Sequence, residues 1–265
     1  MMEETILGIF IFIFGSVIGS FLNVCIVRMP REESIVTPGS HCTRCKKPIP
    51  WYDNIPFVGY IVLRGKCRFC KEKISFQYFI VELVTALMFL WLYFYFGLTG
   101  LLVPYFIFVS GLIVATFVDI EHRIIPDEIS VGGMVVGIIF SIFLPQLHGE
   151  HLYLLGLGKS LLGVLIGGGS IYAMGMLGDF LFKKESMGGG DVKLLAMVGA
   201  FLGWQSAILT FFIAPIFGAV AGIIVKIRTK ESMIPYGPFL ALGALISLFW
   251  SKPIIEWIMS GYGIY

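Results

Sequence analysis

Residues 101–123 read LLVPYFIFVSGLIVATFVDIEHR, and their first 18 positions carry no charge. A helix of that length, rising ~1.5 Å per residue, extends ~27 Å, close to the ~30 Å hydrocarbon core of a bilayer. Asp119, Glu121, His122 and Arg123 then arrive together and mark where such a helix leaves the lipid. Similar apolar blocks recur along the 265 residues. Eight spans are expected, at roughly 5–27, 76–97, 101–118, 129–146, 154–178, 191–204, 205–225 and 236–258. The sixth is short, and a tilted, half-buried or re-entrant segment fits it as well as a full crossing. Composition agrees: 57% of residues are hydrophobic, 14% are charged, and mean hydropathy is +0.90. A soluble domain carries about 25% charged and about 45–50% apolar residues. A soluble globule is therefore disfavoured, and a disordered chain is excluded. A lipid-facing barrel is disfavoured because its strands alternate apolar and polar residues. The fold class expected is all-α, a polytopic membrane protein. The net charge of +2 is too small for nucleic-acid binding by bulk electrostatics.

Lys and Arg set the orientation. The stretch 28–75 holds ten of the nineteen basic residues. If it is cytoplasmic, alternation of eight spans puts 17 of the 19 on that side and leaves only Lys159 and Lys252 opposite. Both termini then lie outside. The first span is too long for a cleavable signal peptide, and acidic Glu3 and Glu4 precede it where a signal peptide is basic. The outer connections, such as 98–100 and 147–153, are too short for a domain. Chemistry is expected in the membrane or at its cytoplasmic face.

Four of the five cysteines form Cys42-x2-Cys45 and Cys67-x2-Cys70, with 21 residues between the pairs. Two such knuckles let four thiolates converge on a tetrahedral Zn²⁺. The loop is poor in apolar residues, so a bound metal would supply folding energy. Arg44, Lys46, Lys47, Lys66, Arg68 and Lys71 would offset the charge of a tetrathiolate centre. With four thiolates no coordination position stays open, and the role is structural. Two disulfides or four free thiols are the alternatives, and iron is the minor competing metal. A reducing cytoplasm argues against disulfides. Cys25 lies inside the first span, where packing explains it.

Charged groups near hydrocarbon are costly and often functional. Asp119 ends the third span. Asp191 follows Gly188-Gly189-Gly190 at the opening of the sixth. The topology puts both at the cytoplasmic ends of their helices, at one depth, although 72 residues separate them. Two carboxylates meeting in a dry cleft cannot both ionise easily. One ionised and one protonated aspartate can together activate water and polarise a carbonyl. The glycines allow a substrate backbone to approach closely. Helix-end aspartates facing water, or an N-cap role for Asp191, fit the same spacing. Asp127 reads as a helix start after Pro126. Glu82, inside the second span, either pairs with a basic group, snorkels or serves a cofactor. Gly167-Gly168-Gly169 reads as a helix-packing face.

Several stretches then stand in a specific order. Gly19-Ser20-Phe21-Leu22-Asn23-Val24 is followed by Arg28-Met29-Pro30-Arg31, both cysteine pairs, Trp51-Tyr52-Asp53-Asn54-Ile55-Pro56 between them, and Tyr78 to Ala86 with Glu82. Next come Asp119-Ile120-Glu121-His122-Arg123-Ile124-Ile125-Pro126-Asp127 and Gly188-Gly189-Gly190-Asp191-Val192-Lys193. From about residue 13 to about residue 230 the chain resembles the bacterial type IV prepilin peptidases, or leader peptidase/N-methyltransferases. The last stretch fits the Gly-x-Gly-Asp signature of a class of intramembrane aspartic proteases. The resemblance implies cleavage of the basic leader of type IV prepilins or type II secretion pseudopilins, just after a glycine, at the cytoplasmic face of the bacterial inner membrane. It implies N-methylation of the new terminus with S-adenosylmethionine. Asp119 and Asp191 map to the catalytic pair, supported by Gly188, Gly189 and Gly190. Cys42, Cys45, Cys67 and Cys70 are the expected metal ligands. For S-adenosylmethionine only Glu82 is a candidate contact. Residues 1–98 would form the methyltransferase-associated region and 99–265 the peptidase domain. A transporter also uses intramembrane carboxylates and broken helices, but gives no reason for the cysteine loop.

Overall fold

The computed structural model describes residues 2–183, 187–229 and 234–261. Lys184 and Lys230, counted in the charge balance, lie outside the described residues. Helices make up the fold, and only two isolated β-bridges occur among the described residues. The helices are α1 (Met2–Arg28), α2 (Val58–Val62), α3 (Gln77–Phe96), α4 (Leu102–His122), α5 (Asp127–Phe143), α6 (Tyr153–Phe182), α7 (Gly189–Thr229) and α8 (Gly237–Gly261). They divide into two compact units, 1–114 and 115–265, and the division falls inside α4.

In the first unit α1 and α3 lie antiparallel in close contact. A Cβ on Gly15 would stand 2.8 Å from Ala86 Cα, and one on Gly19 2.7 Å from Glu82 Cα. Glycines four apart on one face let two backbones approach, which is how helices associate where no hydrophobic force drives them. Further along, Asn23 Nδ2 donates to the Tyr78 carbonyl at 3.0 Å. The paired numbers fall on α3 as they rise on α1, which fixes the antiparallel sense. The start of α4 joins this pair through Phe106, whose ring stacks on Phe89 at 4.0 Å.

In the second unit the expected sixth and seventh spans form one continuous element with a break. Gly203 has φ 80° and ψ 170° inside α7. Gly167 on α6 shows what this does. A Cβ there would stand 2.5 Å from the Leu195 carbonyl oxygen and 3.3 Å from Ala207 Cβ. Twelve residues of straight helix would separate those two by ~18 Å. The chain therefore folds back at Gly203 into two arms, 189–202 and 204–229. The first arm is short because it is the core of the unit. Leu194, Leu195, Met197, Val198, Ala200 and Phe201 are all buried, so the arm is apolar all round. Six described helices are long and apolar enough to cross a bilayer. Counting the two arms of α7 separately and the 17-residue α5 gives eight segments, as the apolar blocks predict.

His148 closes the reversal. Its Nε2 lies 2.8 Å from Ser141 Oγ, and its Nδ1 stands 3.3 Å from where a Gly203 Cβ would be. Burial, then the charge of Lys159, pulls the imidazole down to about 4. The folded state thus favours neutral His148. That contribution is full above about 6.5 and is lost as pH falls toward about 4. Thermal melts in detergent should show wild type losing more stability over that interval than His148→Gln. Equal losses would remove the role. Gly203→Ala should cost roughly 1–3 kcal/mol, because only glycine tolerates that backbone conformation. Gly169→Ala, with open space around it, should not destabilise.

Candidate active site and metal centre

Each cysteine pair sits on the same small turn. Cys42 N–H donates to Lys47 O and Lys46 N–H to Cys42 O, at 3.0 and 2.9 Å. Cys67 N–H donates to Glu72 O and Lys71 N–H to Cys67 O, at 2.8 and 3.1 Å. Lys46 and Lys71 both adopt a left-handed φ of 58°. The repeated turn aims both pairs at one point, and the four sulfurs lie within 4.8 Å of one another. A tetrahedral ion with ~2.3 Å bonds to sulfur needs its ligands ~3.8 Å apart; Cys42 Sγ and Cys70 Sγ are 3.8 Å apart. The backbone N–H groups of Cys70 and Phe69 point at Cys67 Sγ and pull its thiol down to about 6. The donor set fits a metal ion. Around it Arg44 pairs with Glu72, and Arg68 grips Asp53 with two bonds of 2.6 Å. That guanidinium holds the Asp53 carboxyl below its ordinary range.

Glu82 is buried in the first unit. Its Oε2 accepts the Phe57 backbone N–H at 2.9 Å, and its carboxylate accepts a second bond from Ser20. Among the described residues its partners are neutral donors, not a basic residue.

In the second unit Asp119 lies in the last turn of α4. Arg123 ends that helix with φ 57°, its N–H bonded to the Asp119 carbonyl at 2.9 Å. The Asp119 side chain is only 5% exposed. Its Oδ2 accepts the backbone N–H of Gly237 at 2.7 Å, across 118 residues. Asp191 is the third residue of α7, and its carboxylate reaches back to the Gly188 N–H, the reciprocal half of a capping box. The three glycines differ in their surroundings. A Cβ on Gly190 would press to 3.1 Å on Ile125 Cβ, one on Gly188 would stand 3.3 Å from Asp191 Oδ2, and one on Gly189 would meet nothing within 4 Å. The Gly190–Ile125 contact and the ion pair from Lys193 Nζ to Asp127 Oδ1, at 2.7 Å, tie the start of α7 to the α4–α5 turn. Asp119 and Asp191 therefore come close enough to feel each other's charge. Asp127 stands apart from them, with its side chain 63% exposed.

Two residues of this cluster escape a reading of the sequence. Gly237 supplies the N–H to Asp119. Tyr236, whose phenol is pushed up to about 12 by burial and by the charge of Asp191, stands beside it as a neutral hydroxyl. The available signal was Pro235-Tyr236-Gly237-Pro238, a rigid turn at the mouth of the last span.

The chain is similar in sequence to known proteins. The Bacterial Peptidase A24 N-terminal domain matches residues 13–96, and the Type IV leader peptidase family matches residues 106–223. The Prepilin leader peptidase/N-methyltransferase of Pseudomonas aeruginosa is 33% identical over 267 aligned positions, covering 91% of this chain and 89% of that protein. The chain belongs to the type IV leader peptidase family. A family member from Myxococcus xanthus, bearing the same name, is 38% identical over 228 positions; the match covers 85% of this chain and 65% of the relative. One from Aeromonas salmonicida is 30% identical and covers 94% and 93%. No solved structure matches the chain.

If the cysteine cluster is a closed metal site, the purified protein should carry one equivalent of metal by elemental analysis. Cys67→Ser should lose it together with folded yield. Full yield and full activity without metal would contradict a structural centre.

Proposed function

We propose that this member of the family is a prepilin peptidase in which Asp119 and Asp191 form the catalytic dyad. The observation that carries the reading is their convergence, from the last turn of α4 and the first turn of α7, on one cluster with Gly237. A water between them would lose a proton to the ionised carboxylate as its oxygen attacks the scissile carbonyl carbon. The protonated partner would pass its proton to the carbonyl oxygen, giving a gem-diol, and would take one back from a gem-diol hydroxyl on collapse. Collapse of the gem-diol breaks the C–N bond, and the departing nitrogen takes up the proton. No covalent intermediate is needed, and among the described residues no serine or cysteine nucleophile belongs to the cluster. Gly237 fixes Asp119 Oδ2, and Gly189, with open space where a Cβ would stand, is the point of the turn that an extended substrate strand would approach.

The substrate class is the prepilins or pseudopilins, whose basic leader lies in the cytoplasm while the apolar helix stays in the bilayer. The charge balance favours the orientation with the aspartates and the cysteine loop at the cytoplasmic face of the bacterial inner membrane. Zinc is the metal proposed for the four cysteines, because a closed four-thiolate tetrahedral set suits that d¹⁰ ion. Methylation of the new N-terminus with S-adenosylmethionine is proposed for the chain on the names of its relatives. Glu82 stays the candidate contact for that donor, since its carboxylate accepts from Phe57 and Ser20 and keeps further lone pairs.

The test is leader cleavage of a purified prepilin in detergent. Asp119→Asn and Asp191→Asn should each abolish it while the melting temperature stays near wild type. Full activity in either variant would sink the dyad. Gly237→Ala supplies a finer check. Its Cβ would stand 2.9 Å from Asp119 Oδ2, so the carboxylate must move. A misplacement of that kind should lower kcat about a hundredfold, with KM for the prepilin little changed. A variant with unaltered kcat would show that this N–H does not position Asp119.

A further inference from the structure

The loop between α1 and α3 does not stay above the membrane ends of those helices. Arg28 marks the end of α1, where its guanidinium bonds the carbonyls of Ser34 and Gly39. Phe57 lies well below that level. Its N–H meets Glu82, five residues inside α3, or about 7 Å along the axis. Its ring stacks at 5.9 Å on Phe12 of α1. The ring also meets Phe79 at 5.5 Å. One leaflet contributes only ~15 Å of hydrocarbon.

The short helix that follows is turned inside out. Val58, Ile61 and Val62, at spacings of three and four, share one face, and they are 49%, 63% and 66% exposed. The other side packs against the protein. A Cβ on Gly59 would run into the Asp53 carbonyl, and the Tyr60 ring meets Phe76 and Phe79 at 6.0 and 5.9 Å. Phe57 is held at φ 62°, a costly conformation for a bulky residue. Backbone can enter lipid only if its polar groups are satisfied internally. Here Gly59 N–H donates to Ile55 O, Ile61 N–H to Phe57 O, Leu63 N–H to Gly59 O and Gly65 N–H to Tyr60 O, all between 2.9 and 3.1 Å. Pro56 has no N–H, and Glu82 takes that of Phe57.

We propose that residues 55–62 are a re-entrant element, tethered by Glu82, that enters the leaflet on the cysteine-loop side and presents Val58, Ile61 and Val62 to lipid acyl chains. Continuity with α1 and α3 fixes the depth. The charge pattern fits the same occupant: exposed Trp51 and Tyr52 precede the element and Arg64 and Lys66 follow it, matching the aromatic and basic rim of a membrane interface. Glu82 is then a positioning residue for the loop, and the metal centre is carried on a segment anchored at both ends in the bilayer.

The test uses full-length, metal-loaded protein in nanodiscs of phosphatidylcholine and phosphatidylglycerol, with and without bromine on the acyl chains. Ile61→Trp adds a reporter on the exposed face, and Val36→Trp adds one on another exposed part of the loop. Subtracting the parent emission, the Ile61→Trp signal should be quenched several-fold more by brominated lipid than that of Val36→Trp, and less by aqueous iodide. Val62→Trp should repeat the result if Ile61→Trp loses metal. Glu82→Leu in the Ile61→Trp background should reverse the pattern toward iodide. Quenching of Ile61→Trp by iodide alone in the parent background would overturn the proposal. So would an added prepilin that shields the reporter from brominated lipid, since the face would then belong to substrate.

Discussion

At Gly163 on α6 and Gly199 on α7 the two backbones touch, and a Cβ on either would overlap the other's carbonyl. The second unit depends on that contact. It lets the first arm of α7 stand at the centre, with Gly133 of α5 against Met197 and Gly137 against Phe201. An arm buried on every side needs no contact with water and can end part-way across, provided the chain can turn. Gly203 supplies the turn, and Ser160 Oγ meets the Ala200 carbonyl near it at 2.9 Å. The other end of the arm is then fixed in place, and that end carries Asp191.

An aspartate in a membrane protein must be given donors or it will not stay charged. Asp119 receives a backbone N–H from the start of α8, and Asp191 one from the turn before its own helix. Among the described residues both are held mainly by backbone N–H donors, and the Arg123 guanidinium adds its charge at Asp119. The lysine of this region, Lys193, is occupied by Asp127. In the proposed dyad, two carboxylates held mainly by backbone dipoles would share a proton and work on water. The first unit meets a different shortage. Its loop lacks an apolar core, and four converging sulfurs together with the Glu82 tether take the place of one.

The sequence makes the helices legible because crossing a bilayer demands long apolar runs. The boundaries of α3 and α5 lie within about three residues of the apolar blocks, and the break between the sixth and seventh blocks falls beside Gly203. The cysteine pairs are equally legible, since a local turn brings each pair together and spacing records local turns. Contacts made across the fold leave no such trace. The bond from Gly237 to Asp119 joins positions 118 residues apart, and nothing near either one announces the other. Glu82 looks like a charge in search of a cation or a ligand, because a backbone N–H donor has no signature in a sequence. Asp191 invites reading as an N-cap after three glycines, yet it stands at the third helical position, where the side chain reaches backwards. Its capping role and its proximity to Asp119 coexist.

The central claim is that Asp119 and Asp191 act as one unit. The most direct measurement is a double-mutant cycle on the binding of a prepilin peptide whose scissile amide is replaced by a hydroxyethylene, so that the hydroxyl takes the place of the attacked carbonyl. Its Kd would be measured for wild type, Asp119→Asn, Asp191→Asn and the double variant. Each single variant should lose most of the affinity, and the double variant should lose little more, as expected for residues sharing one interaction. Losses that simply add would mean that the two carboxylates work at separate places, and the account would fail.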